Sequence, residues 1–308
     1  MKYFLTFLIF LYVQKIDAQE IDTTDNARLA QLITLSETVV RTNLDVARFI
    51  DIVKQDTTFY KAFKNLRILS YTSLNNIAMF DSKGKTVASL SSKTKQHAAD
   101  GCRSMEVIEE KSTGNFYKKN HNYNYFTAEL YAGLFFTDGK ICGQSNIVKD
   151  KMRSVQSKKG IEKKKEQLKM LFFDPGKKVT GIPLMGDKTA IFEENNSKQY
   201  NFFIDFVSFE GQDCYKFEII AKEEEASKVV IDKMTTWFNA RSMQIVARNY
   251  ALSYNAGVFD FDVQMEVQMT SFKNLLVPQT LRYTGNWDVA FKKREKGIFT
   301  ATLFDFSN

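Results

Sequence analysis

From Phe259 to Thr270 apolar and polar side chains alternate without a break, with Phe259, Phe261, Val263, Met265, Val267 and Met269 set against Asp260, Asp262, Gln264, Glu266, Gln268 and Thr270. Successive side chains of an extended chain point to opposite faces, so this stretch reads as a strand with one dry and one wet face. The pattern recurs upstream. In "YNFFIDFVSFEGQDCYKFEII", Glu210 to Asp213 separate two strands, and Tyr215, Phe217 and Ile219 oppose Lys216 and Glu218. In "KVVIDKMTTWFNARSMQIVARNY" the chain turns at Asn239 to Ser242, and "LLVPQTLRY" and "GIFTATLFDF" add further strands. Consecutive strands at this spacing, each with one dry face, predict a strongly curved antiparallel sheet.

The N-terminal region follows a different period. Asp22 to Asp25 supply cap-type residues ahead of Leu29, Leu32, Ile33, Val39 and Val40, and in "DVARFIDIVK" Val46, Phe49, Ile50 and Val53 fall at helical spacing. Phe59, Phe63 and Leu66 carry the pattern past Asp56, which is placed to cap a new segment, so residues 25–66 read as amphipathic helix. From Ile68 short extended runs take over. "NIAMFDSKGKTVASL" reads as a hairpin turning at Asp81 to Gly84, and "YFTAELYAGLFFTDGKICGQ" as a further apolar run broken at Asp138 and Gly139. A second, basic helix is expected over 155–173, ended by Asp174, Pro175 and Gly176.

The first eighteen residues put Lys2 before an apolar run from Tyr3 to Val13 and end at Ala18, the grammar of a secretory signal peptide. The run is shorter than the roughly 20 residues that span a bilayer; an uncleaved interfacial anchor is the alternative. Cleavage near Ala18 would leave residues 19–308 as a periplasmic or secreted product, read as a single domain. Three prolines speak against a long unstructured linker, and 27 Phe supply a core that needs no metal staple. In an oxidising compartment Cys102 and Cys142 are the natural bridge, with Cys214 left as a buried thiol, although connectivity is not fixed by sequence.

Charge narrows the choice of partner. Residues 149–178 hold eleven Lys and Arg against four Asp and Glu, which accounts for the entire formal charge of +7. An excess confined to one segment does not point to nucleic acid. It reads as a solvated helix face, with an anionic membrane surface as the alternative partner.

Reaction chemistry finds no foothold. His97 and His121 sit in polar, loop-like settings away from other ligand types, so neither a metal site nor a histidine base is expected. The chain has no Gly-x-Ser-x-Gly elbow, phosphate-cradling loop, His-Glu-x-x-His or Cys-x-x-Cys. Asp260 and Asp262 share a face, as alternation alone would place them. Tyr117, Tyr123, Tyr125 and Tyr131 read first as packing, and Trp237 and Trp287 as core anchors or the lip of a cavity.

The order of N-terminal helix, strands, crossing helix and twisted meander resembles the half-barrel of periplasmic lipoprotein-carrier (LolA-like) proteins. "TDGKI" at 137–141, "GQDCYKFEIIAK" at 211–222, "VVIDKMTTWFNARSMQIV" at 229–246 and "LVPQTLRY" at 276–283 carry the likeness, which is best over 200–308. The resemblance implies an α+β fold, an incomplete barrel with amphipathic helices on its apolar concave side and room for acyl chains. Phe259, Phe261, Val263, Met265, Val267, Met269 and Trp237 would then line the cavity wall. The implied function is a non-enzymatic, cofactor-free carrier or binder of a lipid or lipidated protein. The alternative is an envelope scaffold whose cavity is plugged by its own N-terminal helices.

Overall fold

Strands with one apolar face must bury that face, and the described residues of this chain do so with one sheet of twelve strands rather than two packed sheets. The computed structural model describes residues 23–148, 170–179, 185, 187–255, 259–289 and 293–308. The expected signal peptide and most of the basic helix fall outside these residues, and of that helix 170–173 is seen as a helical turn. The strands are β1 (Ile33–Leu35), β2 (Ser70–Phe80), β3 (Thr86–Ala99), β4 (Cys102–Gly114), β5 (Ile141–Cys142), β6 (Tyr200–Phe209), β7 (Gln212–Ala221), β8 (Ile231–Asn239), β9 (Ile245–Asn255), β10 (Phe259–Phe272), β11 (Leu275–Val289) and β12 (Glu295–Ser307).

Their spatial order is β1-β6-β7-β8-β9-β10-β11-β12-β2-β3-β4-β5. Every pair is antiparallel except β1 with β6. β1 and β5 end the row without meeting, so the sheet curves into an open half-barrel. The C-terminal strand joins the two parts of the chain, β12 pairing with β2 from Lys296 opposite Phe80 to Ser307 opposite Ser70. Residues 70–142 and 200–307 therefore share one continuous sheet.

Local chemistry accounts for the turns. Between β2 and β3 the Asp81 carboxylate accepts from the backbone N–H groups of Lys83 and Lys85, and Gly84 takes a positive φ of 78°. Between β8 and β9 the Asn239 side-chain oxygen accepts from the N–H groups of Arg241 and Ser242. Pro278 cannot donate to a ladder, and β10 and β11 slip register there, with Gln268 opposite Thr280 and Met269 opposite Pro278. Gly285 is required by a close approach: a Cβ there would lie 2.5 Å from the Tyr283 ring and 2.8 Å from Trp287 Nε1, which donates to Tyr283 Oη at 2.9 Å.

Helices occupy the concave side. They include α1 (Thr23–Gln31), α2 (Glu37–Arg41), α3 (Val46–Gln55), α4 (Thr58–Asn65) and α5 (Phe126–Phe135). In α3, capped by the Asp45 carboxylate on Arg48 N–H, Phe49 sets its ring edge-on against Tyr215, Phe217 and Phe238 at 6.1, 5.5 and 5.5 Å. In α4, Phe63 stacks on Phe173 at 4.1 Å, and Asn65 donates to the Leu276 carbonyl. Over β9 to β11 the trough is filled by the 170–173 turn, where Phe172 packs against Tyr283 and Trp287 and its carbonyl accepts from Tyr250 Oη.

Two local expectations change. The region read as helix throughout 25–66 is interrupted by β1, whose three residues pair with Phe202 to Ile204 of β6 and start the sheet. The apolar run after Tyr125 is helix α5, not strand. Phe126, Ala128, Leu130, Tyr131, Ala132, Leu134 and Phe135 are spread around most of the axis and only Glu129 and Gly133 are exposed, while Tyr131 and Phe135 both pack on Phe299 of the sheet. A helix apolar on most sides has no amphipathic period to betray it. Its first turn is held from outside the helix, by the Glu295 carboxylate of β12 accepting from Phe126 N–H at 3.0 Å and Thr127 N–H at 2.7 Å.

Cys102 and Cys142 are bridged across the β4–β5 pair. Cys214 is a free, fully buried thiol on β7, and burial, followed by Asp213 and Glu210, raises its pKa.

Candidate functional site

The dry face of β10 is packed. Phe261, Val263, Met265, Val267 and Met269 are 3%, 0%, 1%, 0% and 7% exposed, and Phe259 opens the strand opposite Val289. Met265 lies in register between Tyr250 and Tyr283, under the 170–173 turn whose Phe172 meets both tyrosines. Trp237 is set apart from these residues. It is in register with Lys216, which is on the other face of β7 from Phe217, and it stacks on Phe209 at 4.6 Å on the convex side.

Open space lies elsewhere in the trough. A cavity of about 830 Å³, partly open to solvent, is bordered by β2, β3, β4, β11 and β12 on one side and by α4, α5 and the chain following each helix on the other. Nothing on β10 lines it. Tyr60, Phe63, Leu134, Phe135, Phe136, Phe173, Leu281 and Leu303 supply an apolar roof and wall. This size is within the range of sites that enclose small ligands.

The floor is polar and satisfied. Ser73 and Asn75 of β2 face Thr94 and Ser92 of β3. Asn75 accepts from Ser73 Oγ at 2.7 Å and donates to Thr94 Oγ1 at 3.1 Å and Ser92 Oγ at 3.5 Å. The register that turns Tyr71, Ile77 and Met79 inward also turns Ser73 and Asn75 inward, and leaves Leu74 46% exposed on the convex face. This inverted stretch is the sequence signal that the cavity floor offered: polar residues at dry-face positions and an apolar one at a wet-face position.

One end of the cavity carries Arg67, from the turn after α4, and Arg103 of β4. Arg103 is held by neutral groups: Nη1 donates to Gln96 Oε1 at 2.9 Å and to Thr137 Oγ1, and Nε donates to Gln144 Oε1 at 3.1 Å. Gln96 is oriented for this by giving its own N–H groups to the Leu66 and Leu69 carbonyls at 2.6 and 2.7 Å. Burial lowers the Arg103 pKa, against the opposing effect of Tyr71 and with a smaller lowering from Arg67. Burial pushes the neighbouring Tyr71 phenol up to about 12. The other end is mixed, with Glu110, Lys118, His121, Tyr123 and Glu129.

α5 is the cavity's cover. The segment from Asn115 to Cys142 leaves the far end of β4, crosses the trough and is tied back by the disulfide at the near end of the same strand. Gly133, a solvent-exposed position that borders the cavity, has open space within 4 Å of where a Cβ would stand.

The remaining candidate residues are placed as follows. His97 is on strand β3, not in a loop, and its Nε2 is 3.0 Å from Glu106. His121 stacks on Tyr117 at 4.4 Å. Tyr117, Tyr123 and Tyr125 surround Phe116, while Tyr131 packs against Tyr283 and Phe299. Asp260 is paired with Arg294 on the wet face. Among the described residues no group of His, Cys, Asp and Glu is arranged to hold a metal ion, and no helix is long and apolar enough to cross a membrane.

Neither a family model nor a curated protein matches this chain. Solved structures similar to it include a domain assigned to outer membrane lipoprotein sorting from Vibrio parahaemolyticus, at 8% identity over 84% of this chain and 91% of that one with a TM-score of 0.30. A DUF1329 family protein from Desulfovibrio piger gives 10% identity over 80% and 90% with a TM-score of 0.25. A LolA superfamily protein from Nitrosomonas europaea gives 8% identity over 82% and 93% with a TM-score of 0.23.

Proposed function

We propose that this protein is an exported, non-enzymatic binder or carrier of an amphiphile, a lipid or the acyl chain of a lipidated protein, held between α5 and the β2–β4 side of the half-barrel. The observation that carries this reading is the cavity of about 830 Å³ beneath α4 and α5, apolar above and hydrogen-bonded within its own floor below. A satisfied floor needs nothing from a ligand, so an alkyl chain can cross it without stranding a buried donor. The basic segment 149–178 would bring the protein to an anionic membrane surface. The packed state of β10 favours a second reading, an envelope scaffold with a filled trough.

Gly133→Trp separates the two readings. The new side chain enters open space, and replacing a helical glycine removes a propensity penalty of about 1 kcal/mol or less. We expect a melting temperature equal to or above that of the wild type. Binding of the neutral fluorescent probe N-phenyl-1-naphthylamine should fall about tenfold or more, a loss of about 1.4 kcal/mol. Equal probe binding by both proteins would contradict the amphiphile reading and leave the scaffold.

A further inference from the structure

Arg103 is a half-buried cation set in a cavity wall with no carboxylate to neutralise it. Among the described residues neither it nor Arg67 forms an ion pair, both line the cavity, and the turn that carries Arg67 packs against β4, the strand of Arg103. Taking a cation out of water is costly unless an anion or several hydrogen bonds compensate. The neutral acceptors Gln96, Thr137 and Gln144 engage Nε and Nη1, and no acceptor among the described residues engages Nη2. The arrangement is built rather than incidental, since Gln96 is locked by two backbone carbonyls so that its oxygen must face Arg103. A guanidinium fixed in this way, with a second one beside it, presents planar donors suited to carboxylate or phosphate oxygens.

We propose that the Arg67–Arg103 end of the cavity is a headgroup subsite that takes the anionic group, carboxylate or phosphate, of an amphiphile. Its chain lies along Phe63, Leu134, Phe135 and Leu303. This rests on the amphiphile reading above and adds the polarity and orientation of the ligand. Charge also sets direction: the Arg67–Arg103 end carries only cations, whereas at the other end Glu110 and Glu129 are set against Lys118, so an anion is favoured at the arginines.

The test is displacement of N-phenyl-1-naphthylamine by laurate, dodecyl phosphate and dodecanol, which share a chain and differ in head. Laurate or dodecyl phosphate should displace the probe at a concentration about tenfold below that of dodecanol. The better of the two identifies the head as carboxylate or phosphate. Arg103→Gln and Arg67→Gln should each remove most of that advantage and leave dodecanol unchanged, while Arg103→Lys should keep part of it. Arg67 has no hydrogen bond to lose among the described residues, so its variant remains informative if Arg103→Gln unfolds. Dodecanol equal to the anions, or an anionic advantage that survives both substitutions, would overturn the subsite while the amphiphile reading stands. Inorganic phosphate that removes the advantage at concentrations matching dodecyl phosphate would mark a free-anion site and likewise overturn it. Failure of every amphiphile to bind would overturn both.

Discussion

Replacing both Cys102 and Cys142 by Ala should lower the unfolding free energy by about 4 kcal/mol, the loop-closure contribution expected for a bridge separated by 40 residues in sequence. The loss should have a local signature. The bridged loop runs through all of α5, and the bridge ties its end to β4 beside Arg103. β5 itself offers only two residues of pairing, Cys142 with Cys102 and Ile141 with Arg103, too few to hold the cover alone. Urea unfolding should therefore show the lowered midpoint, and limited proteolysis of the variant should cut first between Asn115 and Cys142. An unchanged midpoint would mean that the cover is held by its aromatic contacts alone.

Met265→Gln should cost about 2 kcal/mol or more while leaving probe binding within about twofold of the wild type. The volume hardly changes, so the penalty comes from burying an amide. Its nearest cross-strand neighbours are each already engaged, Tyr283 Oη accepting from Trp287 Nε1 and Tyr250 Oη donating to the Phe172 carbonyl, so their remaining capacity offsets only part of the cost of the amide's two donors and acceptor. Had this strand lined the ligand cavity, the amide would be solvated there, with little loss of stability and a loss of capture. Thermal unfolding and probe titration on the same sample distinguish these outcomes.

What could be read from the chain was what alternation and turn chemistry specify. β6 to β12 follow from their period, and the turns at Asp81, Glu210 and Asn239 from their residue types. The α+β class with a curved, open sheet follows from those strands in series. The cavity was less legible, for two physical reasons. Periodicity shows that a face is buried but not what buries it, so the most regular dry face, on β10, drew attention although helical segments cover it. The open part of the trough is floored by Ser73, Asn75, Ser92 and Thr94, which resemble a solvated face and become an interior one only through the register fixed by Tyr71, Ile77 and Met79. The cover escaped for a related reason: α5 is apolar nearly all round, and its N-terminus is capped by Glu295, which lies 168 residues from Thr127.

Arg103 shows the same limit. Its setting depends on Gln96, Thr137 and Gln144, brought together from three segments by the β3–β4–β5 pairing. No local motif announces such a cluster. Trp237, by contrast, reads as a cavity lip until register with Lys216 puts it on the convex face.

The central claim, that the cavity beneath α5 holds an amphiphile, is tested most directly by extracting the purified protein with organic solvent and weighing the extract by mass spectrometry, with Gly133→Trp purified in parallel. The account predicts an amphiphile near one equivalent per chain from the wild type and little or none from Gly133→Trp. An empty extract from both proteins, or equal amounts from both, would contradict it.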